Sequence, residues 1–241
     1  ITLADMEGVP PVETTGQVRW FKRPTPGHTY LVSLDPSMGT GGDYAAIQIF
    51  ELPTFEQIGE WHHNQTPMNQ QVRILQGINK HIHDTIMEKD STATPQIFYS
   101  MENNTIGEAA LMRVMDIGEE NIMGMFLSEP IRKGHRRKFR RGFNTTAKHK
   151  IDACTKFKEL VEGGKMKINS QLLISEMKDF VASGLSYKAK PGRHDDLVSS
   201  CLLMTRMMKV LADFDPKIFE KWTDRTSELT TPMPIFGNFY G

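Results

Sequence analysis

The segment TYLVSLDPSMGTGGDYAAIQIF, residues 29–50, decides how the chain folds. It begins with an apolar run that ends in Asp35, continues through a glycine-rich turn, and resumes as a second apolar run. Short apolar runs bounded by turn residues predict buried strands. A third run follows the tight connection Pro53-Thr54, so the opening strands are predicted at about 29–35, 43–52 and 55–63, the last two as a hairpin.

Helical and strand patterns alternate after this opening. Thr66-Pro67 begins a helix whose apolar residues recur with a period of 3.6 as far as Ile86. The remaining predicted elements are a strand near 96–102, a helix near 106–116, a short strand near 122–128, a helix from Thr145-Thr146 to Gly163-Gly164, a strand over 165–168, a helix near 170–182 and a final helix from Asp195 or Asp196 to about Ala212. This order predicts an α/β fold with a mixed sheet, in which antiparallel opening strands precede parallel additions, flanked by helices.

The two ends of the chain differ in composition from its centre. Residues 1–27 contain several prolines and few apolar residues, which predicts a linker or loosely packed arm, and the compact domain is expected over 28–213. The tail over 214–241 is rich in Pro, Gly and Thr. Because the first residue is Ile rather than Met, we expect a fragment or an excised domain.

Charge, cysteines and hydropathy restrict the possible functions. Lys plus Arg and Asp plus Glu each total 29, so net charge does not indicate a partner. Cys154 and Cys201 lie in apolar helical patterns without metal-ligand spacing, which predicts buried thiols in a reducing compartment. No stretch approaches the roughly 18 apolar residues of a membrane span, and no signal-peptide pattern opens the chain, so no membrane partner is expected.

Three separate acidic positions carry the strongest functional signal. Asp35 and Glu102 each end an apolar run, and the pair Asp195-Asp196 opens the final apolar helix. Carboxylates that converge repel one another unless a cation lies between them, and Mg²⁺ prefers oxygen ligands. The simplest interpretation is a metal-dependent site for phosphoryl chemistry. Structural roles stay open for two of the positions: the doublet could stabilise a helix start by about 0.3–1 kcal/mol, and Asp35 could be a polar residue of a flexible hairpin.

Two further residues flank these acids. Asp43 precedes the second strand, where it either supports Asp35 or is a turn residue. His194 either contacts a phosphate or a metal, or is structural or solvated. The glycines between residues 35 and 43 allow positive φ or close approach of a phosphate, but the turn is not a P-loop because it lacks that motif and no helix follows it.

A basic stretch, RKGHRRKFRR at residues 132–141, contains seven Lys or Arg, and no acid occurs between Glu129 and Asp152. Such a charge density destabilises a fold by self-repulsion unless it meets a polyanion. Nucleic acid is therefore the favoured partner, with a solvated surface loop as the alternative, and contacts to phosphates would position DNA without reading its sequence. The predicted DNA-binding residues are Arg132, Lys133, Arg136, Arg137, Lys138, Arg140, Arg141 and Lys148.

Four strings, spread in order over about residues 30–205, resemble the nuclease domain of the large terminase subunit of tailed bacteriophages, especially the T-even-like branch. They are LVSLDPSMGTGGDYAAIQIF (31–50), MENNTIG (101–107), TTAKHKIDACTKFKELVEGGKMKI (145–168) and GRHDDLVSSCLL (192–203). The resemblance implies a ribonuclease H-like fold and a metal-dependent endonuclease that cleaves double-stranded viral DNA during genome packaging.

The resemblance also implies a set of site residues and a cofactor. It places the catalytic carboxylates at Asp35, Glu102 and Asp196, with Asp195 as an adjacent metal ligand and Asp43 and His194 in support. The implied cofactor is Mg²⁺ or Mn²⁺, as two ions roughly 3.5–4 Å apart. Of the doublet, we take Asp196 as the main ligand.

The family further implies partners and a location. Large terminases carry an ATPase motor domain with a Walker A loop before the nuclease, and no such loop is present here, so residues 1–27 are interpreted as the interdomain linker. The portal and the small terminase subunit are further implied partners, and the tail is expected to contact one of them. The implied location is the host cytoplasm, at the viral procapsid.

Other function classes stay open on the residues alone. A phosphotransferase of the actin and sugar-kinase type also opens with a strand, an Asp and a glycine-rich hairpin, although it needs a duplicated domain and a second phosphate loop that this sequence lacks. A non-catalytic DNA-docking module of a packaging machine would use the acids only as helix caps. Junction resolvases and integrases share the metal chemistry, and a preference for branched DNA would indicate them.

Overall fold

The computed structural model describes residues 2–130, 141–183 and 186–214. Within these residues, a seven-stranded mixed sheet is covered by helices on both faces, and a separate two-stranded hairpin lies beside it. None of the described helices is both long enough and apolar enough to cross a membrane.

The chain forms nine strands and five α-helices within these ranges. The strands are β1 (Glu13–Thr15), β2 (Val18–Trp20), β3 (Thr29–Asp35), β4 (Ala45–Leu52), β5 (Glu56–His63), β6 (Gln96–Met101), β7 (Met125–Phe126), β8 (Phe180–Ser183) and β9 (Ser186–Ala189). The helices are α1 (Met68–Lys89), α2 (Thr105–Ile117), α3 (Ala147–Glu162), α4 (Gln171–Asp179) and α5 (Asp196–Phe214). Single 3₁₀ turns occur at Leu3–Asp5 and Glu119–Asn121.

The strand order confirms the predicted mixed sheet. In the main sheet the order is β1-β2-β5-β4-β3-β6-β7, with β3, β4 and β5 antiparallel to their neighbours along the chain. The later strands β6 and β7 then add in parallel on the other side of β3. Strand β3 is therefore central, and its end is the point where the antiparallel and the parallel halves meet.

Side chains of β3 alternate between two hydrophobic cores, as the pleat of a strand requires. Tyr30, Val32 and Leu34 are fully buried in the core under α1 and α2. Leu31 lies in the opposite core, under α3, α4 and α5. By the same alternation, Ser33 and Asp35 face the α5 side, which places the carboxylate at the end of β3 below that helix.

Two buried serines set the approach of α5 to this strand. The Ser33 hydroxyl donates to the Ser200 carbonyl oxygen at 2.8 Å, and the Ser200 hydroxyl donates to the Ser33 carbonyl oxygen at 2.9 Å. Because both side chains are small and their polar atoms are paired, the helix backbone lies close to the sheet without unsatisfied groups. The first turn of α5 is thereby held above the end of β3.

Residues 1–27 differ from the expected linker or arm. β1 and β2 form an antiparallel hairpin that extends the sheet through β5, where Arg19 pairs with Glu60. Trp20 is only 1% exposed and packs in the α1 core. Strands of three residues are too short for a periodic pattern, so the sequence does not reveal them.

The segment after α4 also differs from the prediction. The helix expected over 170–182 ends at Asp179, and the chain continues into the antiparallel hairpin of β8 and β9. Phe180 and Tyr187 stack across this hairpin with ring centroids 6.1 Å apart. Near residues 165–168, Lys167 forms an isolated parallel bridge with Glu56 rather than a full strand.

Candidate carboxylate site at the ends of the central strands

Asp35 and Glu102 lie side by side because their strands are parallel neighbours. Leu34 is paired in register with Met101, and the Glu102 N–H donates to the Leu34 carbonyl oxygen at 3.3 Å. Asp35 ends β3 and Glu102 directly follows β6, so both carboxylates emerge at the same edge of the sheet. The sequence prediction that these two acids converge agrees with this geometry.

The Asp35 and Glu102 carboxyl groups interact strongly, which indicates what the pair requires. Burial, followed by the charge of Glu102 and a hydrogen bond with it, raises the pKa of Asp35 well above its ordinary value. Two adjacent carboxylates are unfavourable when both are ionised unless a positive charge or a proton compensates them. A divalent cation, bound through oxygen ligands, could provide that compensation.

The backbone after Glu102 turns at once into α2, and a glycine makes this possible. Asn104 caps the helix by accepting a hydrogen bond from the Gly107 N–H at 2.7 Å. A Cβ on Gly107 would lie 1.7 Å from the carbonyl oxygen of Glu102, so no other residue fits there. The Asn104 amide also donates to the Glu102 carboxylate at 3.3 Å, which orients that side chain.

Asp196 begins α5 and approaches the pair from above the sheet. Burial, followed by the charge of Asp195, raises the pKa of Asp196 to about 6, and Asp43 adds to this effect. The Tyr44 N–H donates to the Asp196 carboxylate, and His194 Nδ1 lies 3.7 Å from its Oδ2 atom. The structure therefore brings Asp43 and His194 beside Asp196. The charges of Asp196 and Asp195 also raise the pKa of Asp35 further.

The two aspartates of the doublet have different surroundings. The Asp195 carboxylate accepts a hydrogen bond from the Ala189 N–H at 3.1 Å and so ties the end of β9 to the start of α5. The Asp196 carboxylate faces Tyr44 and His194 instead. This difference is compatible with Asp196 as the main ligand, and that assignment stays a prediction.

Glu176 of α4 is an acid of this cluster that the sequence analysis does not single out. Its Oε2 atom accepts hydrogen bonds from the N–H groups of Leu197 at 2.9 Å and Val198 at 3.1 Å. Burial raises the pKa of Glu176 to about 8, and the charges of Asp196 and Asp195 contribute. The sequence does contain a signal, because Glu176 lies beside the apolar stripe of an amphipathic helix, where acids are uncommon.

A cavity of about 110 Å³ opens between α5, α3 and the two strand ends. Its lining consists of Asp35, Glu102, Thr145, Lys150, Ala153, Ser199, Leu202, Leu203 and Arg206. The lining of this cavity thus combines the carboxylates of Asp35 and Glu102 with the cationic residues Lys150 and Arg206. A larger groove of about 920 Å³ between α1 and α2 contains none of the predicted site residues.

Arg206, which the sequence analysis also does not single out, is fixed in place. Its guanidinium contacts Glu129, donates to the Thr145 hydroxyl at 3.0 Å, and lies 5.2 Å from the ring centroid of Phe143. Burial lowers the pKa of Arg206 to about 10, so the group is still cationic at neutral pH. It therefore holds the segment before α3 against α5 and keeps a positive charge at the cavity wall.

The predicted DNA-binding residues are only partly described. Arg132, Lys133, Arg136, Arg137, Lys138 and Arg140 lie outside the described residues. Arg141 forms an ion pair with Glu119 and lies 5.4 Å from the centroid of the Phe126 ring, so its charge is partly engaged within the domain. Lys148 is exposed in the first turn of α3. The role of these residues in DNA binding stays a prediction.

The described residues contain no group of three His, Cys, Asp or Glu side chains already arranged to hold a metal ion. The donor set nevertheless fits a hard divalent ion, because Asp35, Glu102 and Asp196 offer only carboxylate oxygens.

Comparisons with known proteins agree with the fold. The family model described as "Terminase RNaseH-like domain" matches residues 32–207. The structure is similar to the large terminase nuclease from thermophilic phage G20c with bound magnesium, at 16% identity and a TM-score of 0.62 over 85% of this chain and 95% of that chain. The large terminase nuclease domain of Thermus phage P74-26 matches at 17% identity and a TM-score of 0.59, over 84% of this chain and 92% of that chain.

A viral relative outside the phages shares the architecture more distantly. The human cytomegalovirus terminase nuclease domain, manganese-soaked and inhibitor-bound, matches at 14% identity and a TM-score of 0.51 over 75% of this chain and 82% of that chain. At these identities the likeness shows the fold. Together with the family match, it confirms the predicted ribonuclease H-like architecture.

Proposed function

This chain belongs to the family of terminase RNaseH-like domains, and on that premise we propose that it is a metal-dependent endonuclease that cleaves double-stranded viral DNA during genome packaging. The observation that carries the proposal is the contact between the Asp35 and Glu102 carboxyl groups, with Asp196 close enough to raise the pKa of Asp35. Three acids gathered at one sheet edge form an unfavourable arrangement for stability, which a bound cation would relieve.

Asp35, Glu102 and Asp196 are the residues that would hold the metal. Solved relatives contain magnesium, cobalt or zinc, and we propose Mg²⁺ or Mn²⁺, as two ions, for this chain. When bound, divalent ions lower the pKa of water to supply a hydroxide nucleophile and stabilise the negative charge on the departing oxygen. The protein would contribute the geometry of the site, because two strand ends and one helix start hold the three carboxylates in place.

The cationic wall of the cavity would receive the DNA backbone. Lys150 and Arg206 line the same cavity as Asp35 and Glu102, so a phosphate bound in this cavity would meet positive charge from these two side chains. Lys148 and the basic stretch at residues 132–141 would extend this contact along the duplex. The expected result is DNA binding that is strongly sensitive to salt and weakly sensitive to sequence.

The biological setting is part of the proposal. In a large terminase, the nuclease would be joined to an ATPase motor domain and would work with the portal and the small terminase subunit. It would act in the host cytoplasm, at the procapsid. Cutting DNA would be the task of this domain, and translocating it would be the task of the ATPase domain.

Cleavage of supercoiled plasmid tests this proposal. The chain is incubated with plasmid and Mg²⁺ or Mn²⁺, with EDTA in a parallel reaction, and compared with Asp35→Asn. Asp152→Asn is the matched control, because Asp152 is exposed on α3 and has no ion pair among those found in the described residues. We expect metal-dependent nicking and linearisation by the wild type and the control, and none by Asp35→Asn. Salt-sensitive binding without any cutting would instead indicate a DNA-docking module.

A further inference from the structure

We propose that Glu176 is a positioning residue of this site, which caps the start of α5 from the neighbouring helix α4 and thereby fixes the orientation of Asp196. The inference rests on the proposed function, because it concerns the ligand that α5 contributes. It assigns a role to an acid that lies outside the three predicted catalytic positions.

The first argument is the pair of hydrogen bonds that Glu176 accepts. One carboxylate oxygen receives the N–H groups of Leu197 and Val198, the two residues that directly follow Asp196. Free N–H groups in the first turn of a helix need an acceptor, and one is usually supplied by the residue before the helix. Here that residue, Asp195, accepts from the Ala189 N–H in β9 instead. The cap of α5 therefore comes from another helix.

The second argument is a chain of contacts that connects the Glu176 side chain to the Asp196 carboxylate through His62 and Tyr44. The second carboxylate oxygen of Glu176 lies 3.9 Å from Nε2 of His62, which has no hydrogen-bond partner among the described residues. The His62 ring stacks on Tyr44 with centroids 4.1 Å apart. The Tyr44 N–H in turn donates to the Asp196 carboxylate. Glu176 thus supports both the backbone and the side-chain environment of Asp196.

The chemistry of the contact distinguishes a positioning role from a ligand role. A carboxyl oxygen can accept two N–H groups at a helix N-terminus whether the acid is protonated or ionised, and the ionised form gains further stabilisation from the macrodipole. The Glu176 side chain is only 11% exposed, and one of its oxygens is already committed to two N–H groups. A glutamine could accept the same two hydrogen bonds through its amide oxygen, whereas an alanine could not. Loss of charge and loss of the acceptor can therefore be separated.

Three variants of the full chain test the proposal. Glu176→Gln retains the acceptor, Glu176→Ala removes it, and Ile82→Val is a destabilising control whose side chain packs in the core on the opposite face of the sheet. Two readouts do not depend on cleavage: hydrogen exchange of the Leu197 and Val198 amides in metal-free protein, and Mn²⁺ affinity by calorimetry. Plasmid cleavage at saturating Mn²⁺ is the third readout.

We expect Glu176→Gln to retain amide protection and to bind Mn²⁺ within about threefold of wild type. Glu176→Ala should lose protection at both amides and bind Mn²⁺ about 10–100-fold more weakly, the usual loss when a residue that orients a metal ligand is removed. Ile82→Val should match wild type in Mn²⁺ affinity even though its unfolding temperature falls.

Two results would overturn the positioning role. Wild-type Mn²⁺ affinity in Glu176→Ala, even with a lower unfolding temperature, would reduce Glu176 to a structural residue. Equal losses of affinity in the Gln and Ala variants would make it a direct ligand, because only the charge would then matter. If the wild-type chain cut no DNA, the proposed nuclease function would fail, while amide exchange and the Mn²⁺ titration would still decide the role of Glu176.

Discussion

The two faces of the central strand β3 differ in composition toward its end. Toward α1 and α2 it presents Tyr30, Val32 and Leu34, all fully buried in an apolar core. Toward α5 it begins with Leu31 in the second apolar core, continues with Ser33, which is hydrogen-bonded to the helix, and ends with Asp35, which interacts with another acid. A strand that alternates by one residue can therefore build a stabilising core along one face and place a reactive site at the end of the other.

The apolar residues and the acids also differ in how they affect the stability of the fold. Apolar burial on the α1 face stabilises the fold by roughly 25 cal/mol per Å² removed from water. On the α5 face, burial and mutual repulsion raise the pKa values of Asp35, Asp196 and Glu176, which means that ionising these acids destabilises the metal-free protein. Substitutions of apolar residues in the α1 core should therefore change stability, and substitutions of the acids at the end of β3 and β6 should change activity.

The largest expected effect is the loss of cleavage in Glu102→Gln. Removing one carboxylate charge from the proposed metal site should reduce plasmid cleavage by roughly 10³-fold or more, the size of loss seen when a group needed in the transition state is removed. The fold should survive, because the amide can occupy the same space. Glu108→Gln, at an exposed position in the first turn of α2, is the matched control and should cut normally. Normal cutting by Glu102→Gln would remove Glu102 from the site.

On the opposite face, Leu34→Ala should reverse this pattern. Leu34 is fully buried, so its truncation should lower the free energy of unfolding by about 2–5 kcal/mol. Metal-dependent cleavage per folded molecule should be retained, since the neighbouring Asp35 faces the other way. Urea unfolding and cleavage at a temperature where the variant is folded measure the two quantities. A loss of cleavage as large as that of Glu102→Gln would show that the faces are not separable.

The metal-free protein should become less stable as pH rises from 6.5 to 8.5. Glu176 has a folded pKa of about 8, above the ordinary glutamate value of 4.5, so the folded state binds more protons than the unfolded state in this range. By linkage, the free energy of unfolding should fall by about 1–2 kcal/mol across the window. His62, whose pKa is lowered from 6.5 to about 4, adds an opposite slope that is largest between these two values and fades as pH rises through the window.

The Glu176→Gln variant tests whether Glu176 causes this dependence of stability on pH. The variant should show a flatter dependence of unfolding free energy on pH in EDTA, measured by urea unfolding at several pH values. An unchanged slope would mean that Glu176 is ionised in the folded protein at pH 6.5. Asp35, whose pKa is also well above its ordinary value, should account for part of any remaining slope.

The smallest expected effect concerns the contact that joins the two regions. Ser200→Ala removes the hydroxyl that bonds to the Ser33 carbonyl oxygen at 2.9 Å, and it should lower the free energy of unfolding by about 1 kcal/mol. Mn²⁺ affinity, measured by calorimetry, should fall only a fewfold, because the Ser33 hydroxyl still donates to the Ser200 carbonyl oxygen. Unchanged stability would show that this contact does not hold α5 on the sheet.

The periodic part of the fold follows from the sequence, and the short elements do not. The boundaries of β3 and β5 and the start of α1 are predicted within one or two residues, because their patterns are long or bounded by turn residues. The hairpins β1–β2 and β8–β9 have strands of three or four residues, and they depend on partners that no local pattern identifies. Trp20 is buried against the α1 core, but this burial is visible only in the structure, so the residue does not reveal the first hairpin in the sequence.

Some residues of the site can likewise be predicted from the sequence, and others cannot. Asp35, Glu102 and the doublet are predictable because each acid ends or begins an apolar run, a feature visible in the sequence. Glu176 and Arg206 reach the site through the packing of α4 and α3 on α5, which the sequence does not specify. The contrast between Asp195 and Asp196 likewise depends on one N–H group, that of Ala189, in a hairpin that the sequence does not predict.

The most direct test of the central claim is anomalous diffraction from crystals of the chain soaked in Mn²⁺. Our account predicts Mn²⁺ bound by carboxylate oxygens of Asp35, Glu102 and Asp196. Mn²⁺ bound elsewhere, with none at these three carboxylates, would contradict it.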